Sequence, residues 1–142
     1  YNAPIKGCGV GSAVYRGNLN LARNAAKGQA QKDLAGNLKT QVQGMMKSYA
    51  AMGEAEGKEF TEELTSDVTR TIVNETLMGT TVAAIKRVDR EVFLMVCLDP
   101  ETFGDVFDRM NNLSKKAKAA LKKRSKEHFA ELDKQLDKLN NN

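Results

Sequence analysis

Residues 79–99 read GTTVAAIKRVDREVFLMVCLD, and the predicted fold is organised around this stretch. Two runs rich in β-branched and apolar residues flank the polar pair Asp89-Arg90, a pattern that predicts an antiparallel β-hairpin. A two-residue turn there would pair Val88 with Glu91, Ile85 with Leu94 and Ala83 with Val96. A longer turn is the alternative, because neither Asp nor Arg has the freedom of glycine at positive φ.

Both faces of this predicted hairpin are apolar, because side chains alternate between the two faces of a strand. One face would carry Ala83, Ile85, Val92, Leu94, Val96 and Leu98, and the other Val82, Ala84, Val88, Phe93, Met95 and Cys97. A sheet with one solvated face alternates between apolar and polar residues instead. One layer of helices can cover only one face, so the second face needs a further partner.

The region before the hairpin supplies a strand and a long helix. Residues 7–15 read GCGVGSAVY, and glycines at alternate positions leave bare backbone on one face of a predicted strand. Val14 stands where a Gly-x-Gly-x-x-Gly dinucleotide loop needs its third glycine. Residues 18–49 follow with an apolar stripe at helical spacing, which is alanine in its first half, and Asn18 is the predicted N-cap. We therefore expect the glycine face to pack closely against this helix.

Two further helices complete the predicted fold. One covers 61–78, and another begins at Asp99-Pro100, with an N-cap residue followed by proline at N1. Apolar spacing continues to residue 139, with a break at 124–125. Unbroken, this helix would be about 60 Å long, so its distal half must project from the domain or fold back on it.

The fold class predicted from these elements is α+β. It has a small antiparallel sheet (N-terminal strand plus hairpin) packed by two helices, with a long C-terminal helix. The expected division is an α+β domain over 1–110 and a basic, helical extension over 111–142. At 142 residues, the chain has room for one domain with a core of its own.

The residue types and their spacing favour no catalytic function. The single histidine, His128, lies in a charged helical stretch, and no carboxylate pair, nucleophile–base pair or phosphate loop has usable spacing. Cys8 and Cys97 match no zinc pattern, and a disulfide between them requires their two strands to be neighbours. We predict no enzyme activity, no cofactor and no metal site. No run approaches the roughly 18 apolar residues of a membrane span.

A basic run near the C-terminus carries the excess of positive charge in a chain of net charge +4. Its candidates for contact with an anionic partner are Lys115, Lys118, Lys122, Lys123, Arg124 and Lys126. Because no aromatic residues interleave with them and no groove-reading motif is present, binding of nucleic acid should be non-specific and strongly salt-dependent. A solvated helix face and acidic groups on a neighbouring subunit are the alternatives.

Two segments resemble a known family. Residues 22–38, ARNAAKGQAQKDLAGNL, are similar to an alanine-rich helix ending in L-A-x-x-L, and residues 92–99, VFLMVCLD, to a hairpin ending in V-F-V-L-V-x-L-D. The order of the predicted elements is also shared. Over roughly residues 7–110 the chain thus resembles the bacterial envelope lipoproteins typified by a twenty-kilodalton surface antigen (the Lpp-twenty-like family), which include a flagellar outer-membrane disk protein.

The resemblance implies export to the periplasm, outer membrane or cell surface of a bacterium, no known catalysis and, for flagellar members, assembly into rings. A first residue Tyr1 in place of an initiator Met also suits an exported protein whose signal peptide has been removed. The expected partners are other copies of the chain, with other envelope or flagellar proteins and membrane contact as further options. No specific nucleic acid is expected. This chain departs from the family by placing Cys8 inside the first strand motif and by its basic tail.

The leading functional hypothesis is a structural envelope protein that self-associates into a ring, tube or filament. Its expected contacts are apolar residues of the hairpin and of the tail: Phe93, Met95, Phe129, Leu132, Leu136 and Leu139. The tail residues repeat at three, four and three, the spacing of a short coiled-coil seam, which needs a partner at this length. One alternative is a monomer whose tail folds back over the hairpin. The other is binding of an anionic surface or nucleic acid by the run 115–126.

Overall fold

The computed structural model describes residues 7–51 and 62–130, together with Leu132 and Lys134. The elements in these ranges are, in chain order, β1 (Cys8–Val14), α1 (Leu19–Ala51), α2 (Glu62–Met78), β2 (Thr81–Val88), β3 (Glu91–Cys97), α3 (Pro100–Asp108) and α4 (Lys115–His128). The predicted α+β class, with an N-terminal strand joined to a hairpin, is confirmed.

The sheet has three antiparallel strands in the order β1-β3-β2, so the second hairpin strand is central. The hairpin turn has two residues, and its first, Asp89, adopts a positive φ of 54°. Asp is one of the few non-glycine residues that enter this region readily. The predicted pairs nearest the turn are confirmed, but Val96 pairs with Val82 and not with Ala83. A bulge between Val82 and Ala84 inserts one extra residue there.

The long helix α1 lies directly on the glycine face of β1. A Cβ atom added to Gly9 would lie 2.5 Å from the backbone nitrogen of Leu34, and one added to Gly11 would lie 2.8 Å from Cβ of Gln29. The predicted close contact between the glycines and the alanine half of the helix is therefore confirmed. Asn18 is the N-cap as predicted, since its Oδ1 accepts a hydrogen bond from the Leu21 nitrogen at 3.1 Å. The buried stripe of α1 consists of Ala22, Ala26, Ala30, Leu34, Leu38, Val42, Met45, Met46 and Tyr49.

Beyond the sheet, the second half of α1 packs in a cluster of helices. α2 contacts α1 and α3, and α4 contacts α3 and α1. Aromatic rings fill this part of the core: the Phe103 centroid lies 5.7 Å from that of Phe107 and 5.0 Å from that of Phe129. Buried residues on both sides of position 110, including Phe107 and Leu121, belong to one continuous core.

The prediction of a long C-terminal helix was wrong, and the long helix is α1, with 33 residues. The C-terminal region instead divides at 109–114 into α3 and α4. Ser114 begins α4, where its Oγ accepts a hydrogen bond from the Ala117 nitrogen at 3.1 Å. Asn111, Asn112 and Ser114 favour a turn over a continuous helix, because Asn and Ser side chains compete for backbone hydrogen bonds. The expected break at Arg124-Ser125 is absent, and Ser125 is buried within α4.

Candidate interaction surfaces

The two faces of the sheet differ in their cover. α1 packs on the face that carries Gly9 and Gly11, together with their partners Val96 and Leu94 on β3. The strand register shows which side chains lie on the opposite face. We use the name open sheet face for five apolar residues on it: Val10, Val14, Ala84, Val88 and Phe93. These side chains come from all three strands and lie in adjacent pairing rows.

Burial along this second face falls from one end to the other. Cys8 and Cys97 are buried at one end, and Met95 is buried beside them. Toward the hairpin turn the exposed fractions rise to 39% for Val10 and 50% for Val14. Val88 is 43% exposed, whereas Phe93 and Ala84 are partly buried. The part of the sheet near the turn therefore presents apolar surface to its surroundings.

A disulfide closes the buried end of the same face. Cys8 and Cys97 are cross-strand partners in the β1–β3 pairing, and their sulfur atoms are bonded. The condition that the two strands be neighbours is thus met. The bond links positions 89 residues apart. It therefore joins the N-terminal strand covalently to the hairpin across the segment that contains α1 and α2.

The outer edge of β1 is closed by side chains of α1. The Val10 nitrogen donates to Oδ2 of Asp33 at 3.0 Å, and the Ser12 nitrogen donates to Oε1 of Gln29, also at 3.0 Å. These groups would otherwise be available to pair with a strand from another chain. The opposite edge strand, β2, carries two consecutive charges and a bulge, features that oppose edge-to-edge pairing.

The sequence-predicted self-association residues fall in different environments. Phe93 lies on the open sheet face, but Met95 is buried. Phe129 and Leu132 are 1% and 2% exposed, and both approach Gly7, where an added Cβ would lie 3.3 Å from Phe129 Cδ1 and 3.0 Å from Leu132 Cδ2.

The expectation that Phe129 and Leu132 face a neighbouring subunit is thereby corrected. Once α4 folds back on α3, these two apolar side chains fill the core of their own chain. Leu136 and Leu139 lie outside the described residues.

The predicted anionic-partner residues divide between internal and external contacts. Lys122 Nζ lies 2.6 Å from Oδ2 of Asp108 and 3.4 Å from Oδ1 of Asp105, which joins α4 to α3. The hydrogen bond to Asp108 raises the pKa of Lys122 above its ordinary value, against the opposing effect of burial. Arg124 donates to Oγ of Ser48 at 3.0 Å and lies over the Tyr49 ring.

The remaining lysines of the run lie toward solvent. Lys118 is half-buried, while the exposed cations on the outer side of α4 are Lys115, Lys116, Lys123 and Lys126. Of the predicted candidates, Lys115, Lys123 and Lys126 therefore stand on one exposed side, and Lys116 joins them.

Three properties of the described residues bear on function: their capacity to hold a metal ion, their capacity to span a membrane and the surroundings of the histidine. In residues 7–51 and 62–130, with Leu132 and Lys134, no group of three or more His, Cys, Asp and Glu side chains could hold a metal ion. Over the same part of the chain, no helix combines the length and apolarity needed to cross a bilayer. His128 packs edge-on against Phe129, with ring centroids 4.9 Å apart. The absence of enzyme activity stays a prediction.

No known protein-family model matches this chain, and a comparison with curated proteins found no match. The resemblance of residues 22–38 and 92–99 to the Lpp-twenty-like family therefore stays a hypothesis.

Sequence reasoning missed two features of the surface near the turn. The first is the contribution of Val10 and Val14, which reach the open sheet face only because β1 pairs with the hairpin. The second is a group of arginines from distant segments, Arg16, Arg87 and Arg90, around one pocket. Alternation within residues 7–15 places Val10 on the non-glycine face, and Val14 follows by the same period, but it does not place them beside the hairpin. No local pattern connects Arg16 with Arg87 and Arg90.

Proposed function

We propose that this protein is a non-enzymatic structural protein of the bacterial cell envelope that self-associates into a ring, tube or filament. The observation that carries this proposal is the open sheet face. Exposed apolar residues scattered singly are ordinary, but a contiguous group from three adjacent strands is typical of an interaction site. When such a group is buried against another protein, apolar surface is removed from water. This stabilises the complex by about 25 cal/mol for each Å² buried.

A second copy of the chain is the partner that this face suits. Lys86 and Glu91 lie on the same face as Val88 and Phe93, and they carry opposite charges. In a contact between two identical faces, Lys86 of one copy can meet Glu91 of the other, and the reverse pair follows by symmetry. This contact closes a dimer, so a ring, tube or filament would join such dimers through a further contact. The closed outer edge of β1 supports association through the face over strand addition at that edge.

Placement in the envelope is supported by two features. A buried disulfide between Cys8 and Cys97 is stable in oxidising compartments such as the periplasm and the cell surface, and rare in the cytosol. The resemblance of residues 22–38 and 92–99 to exported lipoproteins points the same way. The sequence-based hypothesis used Phe129 and Leu132 of the tail as contacts between copies. The present proposal does not, because both side chains belong to the core of their own chain.

Light scattering coupled to size-exclusion chromatography tests the proposal. We expect the wild-type protein to form oligomers whose mass rises with concentration. The double variant Val14→Lys with Val88→Lys should shift the population to smaller species, because contact through the open sheet face would bury unpaired charges. The matched control is Leu21→Lys with Met78→Lys, at positions that are 67% and 88% exposed elsewhere on the surface.

The control should assemble like the wild type, since it adds the same charge away from the open sheet face. A wild-type protein that stays monomeric at every concentration contradicts the proposal. So does a control that dissociates as readily as the Val14 and Val88 variant. Circular dichroism spectra of all variants confirm that each one is folded.

The exposed side of α4 favours a second candidate function, non-specific binding of an anionic surface or nucleic acid. Lys115, Lys116, Lys123 and Lys126 are all exposed there. Such binding should weaken steeply with salt, because each neutralised phosphate releases counterions. A filter-binding titration with duplex DNA at low and moderate salt tests it. Absence of retention at low salt would exclude this function.

A further inference from the structure

A pocket lies where the chain leaves β1 for α1, at the turn end of the sheet. Its volume is about 620 Å³, and it is lined by Val14, Tyr15, Arg16, Gly17, Arg87 and Arg90. Three of its six lining residues are thus arginines. Among the described residues that line it, none is acidic.

The fold fixes the relative positions of these arginines. The Tyr15 nitrogen donates to the Arg90 carbonyl at 2.6 Å, which continues the β1–β3 pairing past Val14 and ties the segment bearing Arg16 to the hairpin turn. The Arg87 side chain crosses from β2 to the Tyr15 ring, with its Cζ 4.5 Å from the ring centroid. This stacking orients the planar guanidinium group.

These arginines lack a close carboxylate partner within the described part of the chain. Arg16, Arg87 and Arg90 form no ion pair with a described residue, whereas Arg70, Arg109 and Lys122 each pair with a carboxylate. Like charges gathered around one pocket repel one another. The nearby acids Asp89 and Glu91 line a separate depression, which shares only Val14 and Arg90 with this one.

We propose that this pocket binds a phosphate group, carried either by a free phosphate compound or by a lipid headgroup. Guanidinium forks engage phosphate oxygens through paired hydrogen bonds. A phosphate group with nearly two negative charges balances a three-arginine pocket better than a single carboxylate does. The pocket lies on the turn end of the sheet, apart from the exposed lysines of α4, so it is distinct from the basic run.

Calorimetric titration of the whole chain with pyrophosphate at low salt tests the proposal. The double variant Arg16→Gln with Arg90→Gln should bind at least about tenfold more weakly, because it removes two charge-assisted contacts. Both side chains are exposed, so the fold should persist. The matched control, Lys39→Gln with Lys47→Gln, loses the same charge from exposed positions of α1 and should retain the wild-type affinity.

A third variant separates geometry from net charge. Arg87→Lys keeps the positive charge but removes the planar fork and its stacking on Tyr15. We expect its affinity for pyrophosphate to fall while its circular dichroism spectrum stays that of the wild type. An unchanged affinity in this variant would overturn the assignment of Arg87 to the site.

Co-sedimentation with vesicles identifies the source of the phosphate group. Vesicles that contain phosphatidic acid, whose headgroup is a phosphomonoester, would identify a lipid headgroup under two conditions. Pyrophosphate must displace the protein from them, and the Arg16 and Arg90 variant must fail to bind them. Phosphatidylcholine vesicles are the reference. Binding of pyrophosphate without vesicle binding would identify a free phosphate compound. The proposal is overturned if neither ligand binds, or if the lysine control weakens binding as much as the arginine variant.

Discussion

Gly9→Ala should destabilise this protein severely, because the structure leaves no room for a Cβ atom between β1 and α1. The added atom would lie 2.5 Å from the Leu34 nitrogen and 2.8 Å from Leu34 Cβ, and closer still to the Ala30 carbonyl oxygen. Two of these three atoms are helix backbone, so no side-chain rotation relieves the clash. The helix would have to move by about 1 Å to restore ordinary van der Waals separations.

The expected cost follows from what that movement disturbs. Overpacking a tight contact costs about 1–3 kcal/mol. Displacement of α1 also lengthens the hydrogen bonds from Val10 to Asp33 and from Ser12 to Gln29, each worth about 1 kcal/mol. The total is about 3–5 kcal/mol, a large share of the 5–15 kcal/mol that holds a typical domain folded. For a chain of this length we expect Tm to fall by about 10–15 °C.

Gly28→Ala is the matched control. Gly28 lies in the interior of the same helix, and nothing lies within 4 Å of an added Cβ atom. Alanine should stabilise the helix there by about 0.5–1 kcal/mol, because it restricts the unfolded backbone. Urea unfolding followed by circular dichroism, with the disulfide intact, measures both variants. An unchanged midpoint for Gly9→Ala, or equal losses in the two variants, would refute the close packing of β1 on α1.

Three further predictions concern the disulfide, the tail and a lysine of α4. Replacing both Cys8 and Cys97 by serine should lower the free energy of unfolding by about 4–5 kcal/mol, because the bond closes a loop of roughly 90 residues; urea titration measures this loss. Phe129→Ala should lower it by about 3–5 kcal/mol, a loss measurable on monomer at low concentration, whereas an effect confined to assembly would contradict its place in the core. In the folded protein the pKa of Lys122 is raised above its ordinary value of 10.5. The ion pair of Lys122 therefore stabilises the fold fully below pH 10.5, and this stabilisation is lost as pH rises through the folded-state pKa. Stability of the wild type and of Lys122→Met should therefore converge at high pH, and a constant difference would contradict this ion pair.

Local signals in the sequence were sufficient for the hairpin, α1 and the start of α3. Asn18 and Asp99 cap their helices through side-chain hydrogen bonds to backbone groups two or three residues away. Such contacts depend on a few neighbouring residues, so a single segment contains all the information they need. The buried stripe of α1 follows from its 3.6-residue period in the same way.

The candidate interaction surfaces were only partly predictable. Phe93 was placed on a second apolar face by alternation along its strand, and the structure leaves it partly exposed on that face. Phe129 and Leu132 have the spacing of a coiled-coil seam, but that spacing is equally suited to packing inside a monomer. Their burial beside Gly7 and Leu98 depends on the path of the chain between α3 and α4.

Local sequence patterns were sufficient to locate the strands, α1, α2 and the start of α3, and to identify the backbone face of β1 that packs on a helix. Tertiary packing was needed to place Phe129 and Leu132 in the core of their own chain, to bond Cys8 with Cys97, and to bring Arg16 to one pocket with Arg87 and Arg90. Each of these depends on residues far apart in the chain, whose approach reflects the balance of burial and chain entropy over the whole molecule. Periodicity reports which side of an element is apolar, but it carries no information about what covers that side.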